Sequence, residues 1–260
     1  MGATATASAP LWWWTVLAGV IGLAVGSFWT VVVWRWPRGE SVVAPRSHCI
    51  GCDRTLRTTE LVPVASWLWQ QGRCRGCGSK IHWRYPAIEV ATALLAAGAI
   101  AVFGPTLTGL AAALLGMVLV PVVVIDLEHK LIPDVIILPA AAVGLALGIA
   151  AHPGRWWVPV LAALGAGGFL FAIWLVFPAG MGLGDAKFAV LMGAVLGLSV
   201  IPAMGIAFAA GALLGIALIA RHGAAARKIA VPFGPFLAAG AVVGLIWGPA
   251  IVHWYTSRLV

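Results

Sequence analysis

The sequence predicts an all-α polytopic membrane protein with about eight transmembrane helices and a small cytosolic loop domain after the first of them. Three observations carry that expectation. Of 260 residues, 62% are hydrophobic and only 9% charged, against about a quarter charged in a soluble domain. Mean hydropathy is +1.02. Uncharged runs long enough to cross a bilayer, roughly 20 residues, recur along the chain. So few charges cannot coat a water-facing globule, which excludes an ordinary cytosolic enzyme, a disordered protein and a nucleic-acid-binding domain.

The first run, Leu11–Trp34, has 24 residues without a charge. No Lys or Arg precedes it, and its apolar stretch exceeds the roughly 7–15 residues of a signal core, so a span is expected and not a cleaved signal peptide. A polar segment, 35–85, follows. Further spans are expected at Pro86–Phe103, Leu107–Ile125, about Leu131–Ala151, Trp156–Pro178 and about Val231–Val252. Between Phe188 and Ala220 lie 33 uncharged residues, too many for one crossing and slightly few for two. Pro202, just after Ser199, points to a hairpin there. Two crossings then require the first to begin earlier, which draws Asp185 and Lys187 to the lipid boundary.

Eight spans put both termini on one side. Nine of the sixteen basic residues fall in 35–85, and Lys130, Lys187, Arg221, Arg227 and Lys228 in alternate loops raise that side to fourteen. Only Arg155 and Arg258 fall opposite. Cytoplasmic loops carry the Lys/Arg excess, so the segment 35–85 is expected in the cytosol and the termini outside. The pI of about 10.1 thus reports topology, with contact to anionic lipid headgroups as a by-product. Trp12–Trp14, Trp156, Trp157 and Trp254 are expected in aromatic belts at the outer ends.

All four cysteines lie in the cytosolic segment, as Cys49-Ile-Gly-Cys52 and Cys74-Arg-Gly-Cys77 with twenty-one residues between the pairs. Two thiolate pairs on tight turns suit tetrahedral zinc, in a zinc-ribbon-like domain. A reducing compartment argues against disulfides; redox pairs and unligated thiols are the other readings. Four cysteines close the coordination sphere, so such a zinc ion is structural. A segment of about 50 residues has too little core to stand without such a staple.

Only eight acidic residues exist, and those at membrane boundaries are functional candidates. Asp126 ends the run Leu107–Ile125, and Asp185 closes Gly182-Leu183-Gly184-Asp185 before the next span. Both are expected at cytosolic helix ends, where two carboxyls sharing a site yield one acid and one base. Such a pair can activate water against a peptide carbonyl and protonate the departing amine. Gly182 and Gly184 would let the backbone come close to a substrate strand. Blander readings stand beside this one. Asp134 after Pro133 reads as a helix cap, Asp185 as another cap, Asp126 as a partner of Lys130, Glu128 and His129 as water-facing, and Glu89 as the partner of an arginine. A transporter using the boundary acids for protons or cations, or a membrane scaffold with a partner-binding zinc ribbon, are alternative functions.

Several stretches, in order, resemble the bifunctional type IV prepilin leader peptidase/N-methyltransferase family, which belongs to the GxGD-type membrane aspartic proteases. They are Gly26-Ser27-Phe28 with Arg35-x-Pro37, Pro45-Arg46-Ser47-His48-Cys49, Pro63-Val64-Ala65-Ser66-Trp67, Gly72-Arg73-Cys74 and Arg84-Tyr85-Pro86-Ala87-Ile88-Glu89. Ile125-Asp126 with Ile132-Pro133-Asp134, Gly180-Met181-Gly182-Leu183-Gly184-Asp185 and Pro232-Phe233-Gly234-Pro235 complete the set. The resemblance implies that Asp126 and Asp185 are the peptidase dyad. It implies as substrates type IV prepilins or pseudopilins, with a short basic leader and an apolar helix, cut after a glycine at the cytosolic face of the bacterial inner membrane. It also implies N-methylation of the new amine by S-adenosylmethionine. No glycine-rich loop for that donor is visible, and Thr30 stands where the family commonly has Asn. The expected division is 1–34 (first span), 35–85 (four-cysteine domain) and 86–260 (seven-helix peptidase domain).

Overall fold

Lipid offers no partner to a backbone N–H or C=O, so an uncharged run in a bilayer must satisfy its own polar groups as helix. The computed structural model describes residues 9–178, 180–223 and 231–258. Arg227 and Lys228, counted above for topology, lie outside these. The helices are α1 (Leu11–Arg35), α2 (Ala65–Trp69), α3 (Arg84–Phe103), α4 (Leu107–His129), α5 (Asp134–Ala151), α6 (Trp157–Val176), α7 (Leu183–Leu196), α8 (Val200–His222), α9 (Gly234–Ile246) and α10 (Gly248–Thr256). Among the described residues no strand forms, only two isolated bridges in the loop domain.

Six helical stretches are long and apolar enough to cross a membrane, and α9 with α10 makes up to seven. That count takes Leu183–His222 as one stretch, yet the chain reverses within it. A Cβ on Gly248 would meet Ser199, and one on Gly240 would meet Ala203 and Ala207, whereas Gly211 faces Phe233. Helix α8 therefore runs antiparallel to α9, while α5 and α7 run together from Ile132 beside Gly184 to Gly148 beside Ala194. The turn falls at Gly197–Ser199, with Gly197 at φ +55°, and Pro202 lies in the first turn of α8. The last run is not the straight span expected. It breaks by 68° between α9 and α10, where Gly248-Pro249 opens the second piece and Pro249 has no amide to continue the ladder.

Without water between helices, close packing and not hydrophobicity holds them together, so small residues mark the contacts. Gly22 and Gly26 of α1 sit on the backbone of α3; an added Cβ would lie 2.6 Å from Ala93 Cα and 2.7 Å from Glu89 Cα. Gly193 of α7 rides equally close on α6. Leu115, Ile125, Phe188, Leu191, Met192 and Leu237 are fully buried where α4, α7 and α9 meet. These contacts bring the end of α4 and the starts of α5, α7 and α9 to the same end of the bundle as the loop domain.

Gly193→Ala should separate α6 from α7, because its methyl would lie 2.3 Å from Ala162 O. Overpacking of this kind costs about 1–3 kcal/mol. Thermal unfolding in detergent should show a lowered midpoint, with Gly205→Ala, whose methyl meets nothing within 4 Å, as the unchanged control.

Candidate active site

Asp126 lies in the last turn of α4 and Asp185 in the first turn of α7. They are 5% and 6% exposed, and Asp185 lies within Coulombic reach of Asp126. Each carboxylate is met by one backbone amide. Gly182 N–H donates to Asp185 Oδ2 at 3.1 Å, and Gly234 N–H donates to Asp126 Oδ2 at 2.8 Å. The second contact needs glycine, since a Cβ at 234 would lie 2.6 Å from that oxygen. The first is the helix-capping bond that the blander reading of Asp185 expected.

The surrounding cations are engaged elsewhere. Lys187 Nζ pairs with Asp134 at 2.6 Å, so Asp134 is an ion-pair partner with no side-chain cap bond. Arg84 pairs with Glu128 at 2.8 Å, and the Glu128 side chain stays exposed, as expected. Lys130 does not pair with Asp126; it ends α4 in the left-handed region at φ 55°, its N–H donating to Asp126 O. Among the described residues, neither Asp126 nor Asp185 has a cationic partner. At Gly184 the space left by the missing Cβ is taken by Ile132, 2.8 Å from where that Cβ would be.

Glu89 is buried, and its partner is not an arginine. Its Oε2 accepts Val64 N–H at 2.7 Å. Val64 stands at φ 59°, ψ −53°, a conformation that costs a β-branched residue on the order of 1–3 kcal/mol and persists only when its surroundings impose it. Thr30, near Ser27 on α1, donates its hydroxyl to Ser27 O at 2.7 Å.

The cysteine pairs sit on two turns of the same design. Cys49 N–H donates to Arg54 O and Cys74 N–H to Ser79 O; Asp53 N–H returns to Cys49 O and Gly78 N–H to Cys74 O. Gly51 and Gly76 each point an amide at the first sulfur of their turn, at 3.4 and 3.3 Å. All four Sγ atoms lie within 4.8 Å of one another, with Cys49 and Cys77 at 3.7 Å. Bonds of 2.3 Å to a tetrahedral metal place sulfurs about 3.8 Å apart, so the set could hold a metal ion. The amides of Cys77 and Gly76 bring the Cys74 thiol down to about 6, which favours the ligating thiolate.

Arg54 ties this centre to the rest of the loop. Its guanidinium grips the buried Glu60 at 3.0 and 2.7 Å while Nη2 stands 3.9 Å from Cys74 Sγ. Sequence reasoning missed Arg54, Glu60 and Gly234 as site-shaping residues. The Pro232-Phe233-Gly234-Pro235 motif was the available signal for Gly234; for the Arg54–Glu60 pair there was none.

Fold and site define a helical membrane protein with an isolated buried carboxylate pair and a four-thiol loop domain. Two family profiles match the chain, the Bacterial Peptidase A24 N-terminal domain over residues 20–103 and the Type IV leader peptidase family over 112–220. A protein of Aeromonas salmonicida (strain A449) named prepilin leader peptidase/N-methyltransferase is 33% identical, with 96% of each chain covered. Proteins of the same name from Bacillus subtilis (strain 168) and Pseudomonas aeruginosa are 36% and 33% identical over 91% of this chain and 95% and 91% of their own. No solved structure matches significantly. The chain belongs to the type IV leader peptidase family, a family of proteases.

Arg54, with the N–H of Arg57, holds the Glu60 carboxyl at about 2. A carboxyl lowered on folding adds stability that is full above its unfolded value of about 4.3 and lost as pH falls through the folded one. Glu60→Gln should therefore speed hydrogen exchange in residues 49–61 at neutral pH, and the difference from the unaltered chain should vanish as pH drops from about 4.3 to about 2.

Proposed function

We propose that the chain is a prepilin peptidase that hydrolyses the leader of type IV prepilins or pseudopilins through Asp126 and Asp185, and then methylates the new N-terminus. The observation that carries this reading is the pair itself: two buried carboxyls within Coulombic reach, with one amide apiece and, among the described residues, no cationic partner. Such a pair holds one proton between two sites, because both cannot easily ionise together. The ionised member takes a proton from water as it attacks the scissile carbonyl. The protonated member supports the oxyanion and passes its proton to the leaving amine. The loop of Gly182 and Gly184 borders the path of the substrate strand.

The substrate class follows from family membership and from the relatives' printed name. A boundary dyad suits it, since an apolar helix stays in lipid while its basic leader stays in water. The topology proposed is eight crossings, with α7 and α8 counted separately on the strength of the reversal at Gly197–Ser199 and α9 with α10 as the last. The loop-domain end, and with it the site, then faces the cytosol of a bacterial inner membrane, among lipids, with the division 1–34, 35–85 and 86–260. Cys49, Cys52, Cys74 and Cys77 are proposed to hold a structural zinc ion, which would cross-link the two turns. The methyl donor is S-adenosylmethionine. Methyl transfer requires chiefly that the free amine be held in line with the donor. Thr30, whose hydroxyl proton is committed to its own helix, has only an acceptor oxygen left for S-adenosylmethionine, and no residue is assigned to that ligand.

Purified protein in lipid, incubated with a prepilin and read by mass, tests the peptidase. Asp126→Asn and Asp185→Asn should each lower cleavage by at least about 10²–10⁴-fold, the usual worth of general acid–base catalysis, with unfolding midpoints retained. Normal processing by either variant, or proton-coupled flux in vesicles without cleavage, would defeat the reading. Cys49→Ser should reduce bound zinc, measured by elemental analysis, and loosen the loop domain to protease before it affects the helical bundle.

A further inference from the structure

A groove of about 420 Å³ lies on the bundle surface with α4 as its floor and α3 and α9 as its walls. We infer that this groove is the docking track for the substrate's apolar helix, an assignment that rests on the peptidase reading above. Three observations point there. First, the floor leads to the dyad: Leu119 and Val123 line the groove, and Asp126 continues the same stripe at the i, i+4, i+7 spacing of one helix face. On the facing wall, Pro235 follows the glycine whose amide holds Asp126.

Second, the dimensions fit a helix. Along α3 the lining runs from Trp83 to Leu95, about 18 Å at 1.5 Å per residue, or the half of the bilayer nearest the dyad. Ala87 and Ala91 on one wall and Ala238 and Ala239 on the other let a second backbone come close, which is how helices associate in lipid. An acyl chain needs no such relief.

Third, an acid stands beside the mouth for a basic leader to pair with. Arg84 lines the groove and pairs with Glu128, whose side chain is 39% exposed. A leader lysine or arginine can exchange with Arg84 on Glu128 as the apolar helix slides in, carrying the scissile bond past Asp126. The other large crevice, between α6 and α8, is lined only by apolar residues and glycines, with no charge at its mouth.

The test uses the full chain in lipid vesicles with Asp185→Asn to hold substrate uncut. p-Benzoylphenylalanine replacing Ala91 or Ala239 should photo-cross-link to the apolar helix of a prepilin, and the same group replacing Phe169 in the α6–α8 crevice should not. In the otherwise unaltered chain, Ala239→Trp should raise KM for a full prepilin about tenfold with kcat within about twofold. It should leave unchanged the cleavage of a short peptide that has the leader and cut site but no apolar helix. Cross-links from positions 91 and 239 to lipid or to a second copy of the chain alone, cross-links to prepilin from position 169 alone, or an unmoved KM would overturn the docking track. Cleavage by Asp126→Asn would instead overturn the dyad, so the two failures are told apart.

Discussion

The structure turns on two buried carboxyl groups within Coulombic reach of each other and, among the described residues, without a cationic partner. Each contributes only one oxygen to one amide, from Gly182 and from Gly234. A lysine or arginine at this place would keep both carboxylates ionised and remove the acid that the proposed mechanism requires. The cations that come near are drawn to acids on the rim, Lys187 to Asp134 and Arg84 to Glu128. The outer ion pairs thus matter less for their own strength, which is small at exposed positions, than for keeping positive charge off the centre.

Holding the pair requires helix ends to meet with little clearance, and glycine makes this geometry available. Gly234 brings the start of α9 against Asp126, and Gly184 lets the start of α7 close over Ile132. Farther along the helices, Gly193 and Gly240 bring α7 onto α6 and α9 onto α8 by backbone contact.

The loop domain is joined to the bundle by a buried polar contact and not only by chain continuity. Glu89 of α3 reaches up to the amide of Val64. The strained Val64 backbone is the local cost of that attachment. Arg54 plays the matching part inside the domain, linking buried Glu60 to the thiol cluster. A closed set of four sulfurs with this support is suited to rigidity, and it places the four-cysteine turns in fixed register with the segment that enters α3.

Membrane residence, helical class and the identity of the candidate acids were legible in the sequence because they depend on local composition. A run such as Leu107–Ile125 must be helix wherever it packs, and Asp126 at its end is conspicuous because so few acids exist. The paired turns around Cys49–Cys52 and Cys74–Cys77 were legible for the same reason, as spacing alone sets a knuckle. Partner choice was not. Asp134 turned to Lys187 and Glu89 to the Val64 amide because each choice depends on what a distant segment brings within about 3 Å, whereas Lys130 left Asp126 for a left-handed cap of its own helix. The hairpin before Pro202 was expected from the sequence and falls at Gly197–Ser199, whereas the 68° break before Gly248-Pro249 was not. Periodicity and hydropathy describe how one helix meets its solvent; only the tertiary structure says which helix it meets.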